Sequence, residues 1–171
     1  MRQQLLIGGD DMSASYSIVI PQTLAPNQPA VFDNSPCPCR EGLIFKKSGG
    51  VFLLASNAPT QNGCSCGCGC RRIYTTNYEV EVHANIEVPA EGEAEEIRLA
   101  IAVDGVIDPA SIMSYPATDT ETAGNVGTSI IVSVPSICGC ESVAIVNAST
   151  QDITINNASL VFDYAGVSRV R

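Results

Sequence analysis

The segment NYEVEVHANIEV, residues 77–88, constrains this chain more than any other stretch. Tyr78, Val80, Val82, Ala84, Ile86 and Val88 fall on one side of a period-two register. Glu79, Glu81, His83, Asn85 and Glu87 fall on the other. Strict alternation of this length is the pattern of a β-strand with one dry and one wet face. It also places the chain's only histidine among glutamates in the wet row, as a solvated surface group. No pair of strand-like segments between Tyr74 and Tyr164 brings together groups suited to acid–base chemistry, so the chain reads as a building block and not as an enzyme.

The remaining segments fit the same class. SYSIVI (15–20), GLIF (42–45), VFLLAS (51–56), IRLAIAV (97–103), TSIIVSVP (128–135), SVAIVN (142–147), DITI (152–155) and ASLVFDYAG (158–166) are strand-like, and VFD (31–33) reads as a further short strand. In IRLAIAV, Ile97, Leu99, Ile101 and Val103 share a face opposite Arg98, Ala100 and Ala102. Asp104-Gly105 is a tight-turn signal. Residues 90–96 form an acidic turn and residues 111–127 a loop rich in Thr and Asp. No long helical pattern occurs. Short strands with Gly/Pro punctuation predict an antiparallel β-sandwich or barrel. Residues 1–30, with Pro21, Pro26 and Pro29, read as an extended arm reaching a neighbour, or as a strand folded back on its own domain.

Composition narrows the function classes. A chain of 171 residues can bury a single core, covering roughly 70% of its unfolded surface. Hydrophobic residues at 45% exclude a disordered chain. The net charge of −9 argues against nucleic-acid binding, which needs a basic footprint. No apolar run is long enough to span a membrane as a helix. Leu5, Leu6 and Ile7 make too short a core for a signal peptide, so ordinary export is not expected. Carboxylates crowd residues 79–121 around a single Arg98, whereas residues 40–72 carry Arg40, Lys46, Lys47, Arg71 and Arg72 against Glu41 alone. This asymmetry either serves solubility or orients the chain against a neighbour.

Eight cysteines form three groups: Cys37 and Cys39; Cys64, Cys66, Cys68 and Cys70; Cys138 and Cys140. Every step within a group is C-x-C, which strains local bridges, so bonds are expected between groups or between chains. Two chemistries compete. Structural zinc could sit in thiolate sites with Zn–S bonds of about 2.3 Å, which suits assembly in a reducing cytoplasm. Disulfides formed in an oxidising medium would staple the 64–70 loop to those of Cys39 and Cys138, stabilising by about 2–4 kcal/mol each. Free thiols are the third state. A Cys–His nucleophile would need a loop cysteine beside His83, which the alternation disfavours. The clustered Glu93, Glu95 and Glu96 read as a solvated face, and no P-loop or dinucleotide glycine motif is present. Asn147-Ala148-Ser149 and Asn157-Ala158-Ser159 match the glycosylation sequon, which carries little weight without an export signal.

The order of pieces from NYEVEVHANIEVPAEGEAEEIRLAIAVDGVIDPAS to TSIIVSVPSICGCESVAIVNASTQDITINNASLVFDY resembles the bacterial and phage branch of the tumour-necrosis-factor/complement-like jelly rolls. Val103-Asp104-Gly105 and Asn157-Ala158-Ser159-Leu160 stand where that family has its V-[ND]-G turn and its last strand. VFDNSPCPCREGLIFKKSGGVFLLAS resembles the opening strands of a subgroup from phages and prophages of Firmicutes. The likeness covers residues 31–165; the Cys64–Cys70 loop and the lack of a collagen-like tract depart from it. It implies an all-β antiparallel jelly-roll sandwich assembling as a homotrimer, with residues 1–30 as an N-terminal arm and 31–171 as the jelly roll, including a Cys-rich loop at 62–72. It further implies a capsid decoration or head-fibre role on the virion exterior, the chain being made in the bacterial host cytoplasm. The arm or the 40–72 region would then dock on the major capsid or another virion protein. The apolar rows of Val80, Val82, Ile86, Leu99, Ile101, Ile130, Val132, Leu160 and Phe162 would form the core and part of the trimer seam. Two alternatives stand beside this: a receptor- or glycan-binding tip that uses the 105–127 loop, and a spore-surface or filament subunit cross-linked by disulfides.

Overall fold

A computed structural model describes residues 13–37, 43–58, 74–136 and 140–169. They form twelve strands: β1 (Ala14–Ile18), β2 (Gln22–Leu24), β3 (Asn34–Cys37), β4 (Ile44–Lys46), β5 (Val51–Ala55), β6 (Tyr74–Glu87), β7 (Glu96–Val103), β8 (Val106–Ile107), β9 (Met113–Pro116), β10 (Gly124–Pro135), β11 (Cys140–Asn147) and β12 (Ile153–Arg169). The only helical pieces among the described residues are short 3-10 turns at 48–50 and 109–111. One sheet has the order β10-β6-β12-β1-β3, with β2 also on β12; the other has β4-β5-β11-β7-β8, with β9 also on β7. All pairings are antiparallel. The molecule is an all-β sandwich of two antiparallel sheets, called here sheet A (with β10 and β6) and sheet B (with β5 and β11).

The alternation of the long strand holds residue by residue. Tyr78, Val80, Val82, Ala84, Ile86 and Val88 are buried, while Glu79, Glu81 and His83 are exposed. Burying such side chains contributes about 1.5–3 kcal/mol apiece before the entropy of ordering them. The core centres on Phe52 of β5, whose ring centroid lies 4.7 Å from Tyr16, 5.2 Å from Phe162 and 5.8 Å from Phe32. Tilted and edge-on contacts of this kind join sheet A, sheet B and the connector between β2 and β3.

That cluster bears on the N-terminal segment. Ala14, Tyr16, Ile18, Leu24 and Ala30 are all buried, and β1 lies between β12 and β3 within sheet A. Of the two readings of residues 1–30, residues 14–30 follow the folded-back one; residues 1–12 lie outside the described residues. The segment stays because its apolar side chains fill space that nothing else fills. Ala30 N–H donates to the Ile145 carbonyl at 2.7 Å, which closes it against β11.

Three local expectations are corrected. The short strand expected at VFD is displaced to β3, because Phe32 turns fully into the core and breaks the extended register. Pro36 is tolerated there because β3 is an edge strand. The 111–127 loop contains β9, and β10 begins early, at Gly124. DITI and ASLVFDYAG are one strand: both halves pair with β6, and the asparagines between them are absorbed by a register shift between Ile155 and Asn157. The Asp104-Gly105 turn stands as expected, with positive φ at both residues and Val103 opposite Val106.

The apolar rows assigned to core and seam lie inside one copy. Val80, Val82, Ile86, Leu99, Ile101, Leu160 and Phe162 are fully buried, Val132 nearly so, and Ile130 is packed partly against them. They are spent on the opposite sheet of the same chain, so these rows leave little apolar surface for a neighbour.

Candidate functional site

Of the eight cysteines, two fall within the described residues. Cys37 ends β3 and Cys140 starts β11; both are exposed, and neither is bonded to another described cysteine. Cys39, Cys64, Cys66, Cys68, Cys70 and Cys138 lie outside the described residues. No group of three metal-ligating side chains occurs among the described residues.

His83 projects from the outer face of sheet A, where its Nε2 lies 2.8 Å from Glu81 Oε1. Glu81 sits two residues away on the same face, as the period of a strand requires. Directly across on β10 is Gly127, where a Cβ would come within 2.3 Å of His83 Nδ1. The glycine therefore leaves the imidazole room to lie across β10. Around it is a shallow basin of about 680 Å³ that crosses four strands, lined by Ser17, His83, Asn125, Gly127, Asn157 and Ser159. Its polar floor is partly knitted: Asn85 donates to Asn125 at 2.9 Å, and Asn34 donates to Ser17 at 3.1 Å. The polar part of the lining offers amides, hydroxyls and one imidazole, with no Phe, Tyr or Trp and no Lys or Arg among the described residues.

The two sequons are unlike each other. Asn157 is exposed at this basin, whereas Asn147 is fully buried. Asn147 Nδ2 donates to the Leu24 and Gln151 carbonyls at 2.9 and 2.8 Å, and its Oδ1 accepts from Ser149 N. It is a structural clamp between β2, β11 and the turn before β12.

A carboxyl pair stands at the tip of the β7–β8 hairpin. Asp104 accepts from the backbone and hydroxyl of Ser142 at 2.8 and 3.0 Å. The hydrogen bond between the Asp104 and Glu141 side chains pushes Glu141 up to about 7, assisted by burial and by the Asp104 charge. The same bond, with those from Ser142, holds Asp104 below its ordinary value. Glu141 also lines a groove of about 430 Å³ between the β10 edge and β8, whose apolar walls are Val103, Val106, Ile107, Ile130 and Ile131. Sequence reasoning missed this pair, because no spacing signal links a hairpin tip to the start of a later strand.

The acidic 79–121 stretch is not one face. Glu79 and Glu81 lie on sheet A, Glu91, Glu93 and Glu95 on the turn between β6 and β7, Glu96 at the start of β7, and Asp104 with Asp108 beside the groove. In the basic 40–72 region, Lys46 and Lys47 are described and exposed, and the Lys46 ammonium donates to the Phe32 carbonyl.

These features define a class before anything narrower: a two-sheet antiparallel β-sandwich whose chemistry lies on its surface. No family model matches the chain, and no curated protein sequence matches it. Among solved structures it is similar to a family 35 carbohydrate binding module from Clostridium thermocellum, at 12% identity over 86% of this chain and 96% of that one, with a TM-score of 0.34. It is similar to the PRD1 vertex protein P5, at 13% identity over 92% and 99%, with a TM-score of 0.34. A third is Arthrobacter globiformis T6 isomalto-dextranase complexed with panose, at 15% identity over 86% of this chain and 23% of that one, with a TM-score of 0.35. Overlaps this loose carry no argument about function. The fold class rests on the sheets described above.

Proposed function

We propose that this chain is a non-enzymatic structural component of a virion: a homotrimeric jelly roll that decorates or projects from the particle exterior. The observation that carries the reading is strand order. β1-β12-β6-β10 face β5-β11-β7-β9, and from β9 onward each successive long strand lies in the opposite sheet. That order supports a jelly roll, and it agrees with the resemblance of residues 31–165. The reading gains from His83, the chain's only histidine, being exposed and tied to a glutamate on an open face. Docking on a capsid protein falls to residues 1–12 or to the 40–72 region. The cysteine groups then act as structural staples, through disulfides or thiolate-bound zinc.

The test is binding to assembled particles. The purified chain is expected to co-sediment with shells that lack it, to leave isolated host envelope unbound, and to show a native mass of three copies. Loss of mass on adding a chelator identifies zinc, and a gain of two hydrogens per bridge on reduction identifies disulfides. Binding to envelope and not to shells overturns the reading.

A second reading, a glycan-binding tip, is favoured by the basin around His83 and not by the 105–127 loop. Neutral hexoses titrated against the chain would then shift the His83 and Asn157 resonances; unchanged resonances would remove it.

A further inference from the structure

Of the four most exposed large hydrophobic side chains among the described residues, Val106 (70%) and Ile131 (57%) wall one groove, between the β10 edge and β8. The groove is not wholly apolar. Asp108 and Glu141 line it as well, and no lysine or arginine of the described residues does. Neither carboxylate has an ion-pair partner there: the ion pairs among the described residues are His83 with Glu81 and Arg98 with Glu96. Asp108 accepts from Ala110 N at 2.9 Å, which leaves acceptor capacity unused. Glu141 is pushed up to about 7 by its hydrogen bond with Asp104, by burial and by the Asp104 charge. No cation offsets those effects.

The same groove runs along free backbone. Among the described strands, β10 hydrogen-bonds only to β6, in an unbroken register from Gly124 to Pro135. Tyr115 screens the Gly124 end, where a Cβ would meet its ring at 2.2 Å. The far half, residues 129–134, carries none of the devices that blunt an edge: no charge, no proline and no register shift. Its length is about 20 Å at the rise of an antiparallel strand. A strand added to such an edge gains main-chain hydrogen bonds, and every second side chain of it enters the groove. Ile130 and Val132 form the inward row of this half, against Val103, Val106 and Ile107. The entering side chains must therefore be apolar, with a cation among them to meet Asp108 and Glu141. A second copy fits this poorly, because chains of net charge −9 repel one another; the same charge draws a cationic partner.

We propose that the free edge of β10 docks an extended peptide segment of another protein, one that presents apolar side chains and a lysine or arginine on the same face. The segment pairs its backbone with residues 129–134 and seats its apolar side chains against Val103, Val106, Ile107 and Ile130. Its cation pairs with Asp108 and Glu141. Main-chain pairing supplies affinity in this mode, and the groove supplies selectivity. The site uses none of residues 1–12 or 40–72, and it stands or falls apart from the virion reading.

The probe is the synthetic peptide acetyl-Thr-Val-Thr-Lys-Thr-Val-Thr-amide, which in extended form places its valines and lysine on one face. It is titrated to millimolar concentration at pH 8, above the about 7 of Glu141, while the backbone amides of the chain are followed by NMR. In one companion peptide glutamate replaces the lysine; in another, N-methyl groups replace the amide hydrogens of the three central residues. The lysine peptide is expected to move the amides of residues 129–134. The glutamate peptide is expected to bind at least about tenfold more weakly, and the N-methylated one not at all. The double variant Asp108→Asn, Glu141→Gln keeps the local hydrogen bonds, so its amide spectrum away from the groove should match the wild type. It is expected to bind the lysine and glutamate peptides alike. Equal binding of those two peptides by the wild type overturns the proposal, as does binding of the N-methylated peptide or a set of shifts outside β10 and the groove. Absence of shifts with every peptide overturns it too. So does broadening of the same amides when the chain alone is concentrated, which would put a second copy on the edge.

Discussion

Asp104 and Glu141 join the tip of the β7–β8 hairpin to the start of β11 through hydrogen-bonded carboxyl groups. A shared proton makes this contact dependent on pH. The folded state lifts Glu141 from 4.5 to about 7, so over that window it holds more protons than the unfolded chain. Stability from this group is complete below 4.5 and is lost as pH rises through 7. Asp104 is lowered, so its contribution runs oppositely and fades in acid, below its ordinary 3.8. Thermal melting is therefore expected at a lower temperature at pH 8 than at pH 5.5. Glu141→Gln, which still donates to Asp104, should flatten that slope. An unchanged slope in the variant would show that the pair does not titrate as argued.

Asn147→Ala should be costly. It strips two carbonyls, Leu24 and Gln151, of a buried donor and Ser149 N–H of its acceptor. The expected loss is about 2–4 kcal/mol in denaturant unfolding, the range for orphaning buried polar groups. A loss under about 0.5 kcal/mol, the level of an ordinary surface change, would mean that water replaces these bonds.

Gly50 and Gly127 should respond differently to alanine. At Gly50, φ is +80° and a Cβ would meet the Ala30 carbonyl oxygen at 2.1 Å, so neither backbone nor neighbour can yield. Gly50→Ala is expected to destabilise by about 2–4 kcal/mol and to loosen the 25–30 segment in hydrogen exchange. At Gly127 the obstacle is the exposed His83 ring, which can swing away. Gly127→Ala should cost under about 1 kcal/mol and move the His83 ring resonances. Equal losses at the two sites would contradict the geometry.

Phe52→Ala removes the ring that touches Tyr16, Phe32 and Phe162, and should cost about 3–5 kcal/mol. Phe45, on the edge strand β4, is exposed, so Phe45→Ala should fall within about 0.5 kcal/mol of wild type. Unfolding curves of the two variants decide whether the aromatic cluster, and not aromatic content as such, supports the sandwich.

Much of the fold was legible because its signals are local. The inward row of β6 follows from alternation alone, and the hairpin at Asp104-Gly105 follows from the ease with which those residues take positive φ. Val80, Leu99, Ile101 and Phe162 were identifiable as core from pattern. The misreadings lie where local chemistry was overruled by a partner. Asn156 and Asn157 look like a turn, yet β6 runs past both halves of β12 and holds them in line through a bulge. Ala100 and Ala102 sit on the polar side of the alternation in IRLAIAV and are nonetheless buried. The candidate surfaces were hardly legible: Val19 and Ile131 look like ordinary strand residues until their exposure is known.

The residues by themselves determined that this chain is an all-β molecule, which rows turn inward, and where its tightest hairpin falls, because side-chain period and turn chemistry act over a few neighbouring positions. Only the tertiary structure decided which strands pair, that residues 14–30 belong to the sandwich, that Asp104 meets Glu141, and that Val19, Ile20, Val106 and Ile131 stay exposed. Those outcomes depend on contacts between residues far apart in the chain, where sheet pairing and shape complementarity select among many arrangements that satisfy the same local pattern.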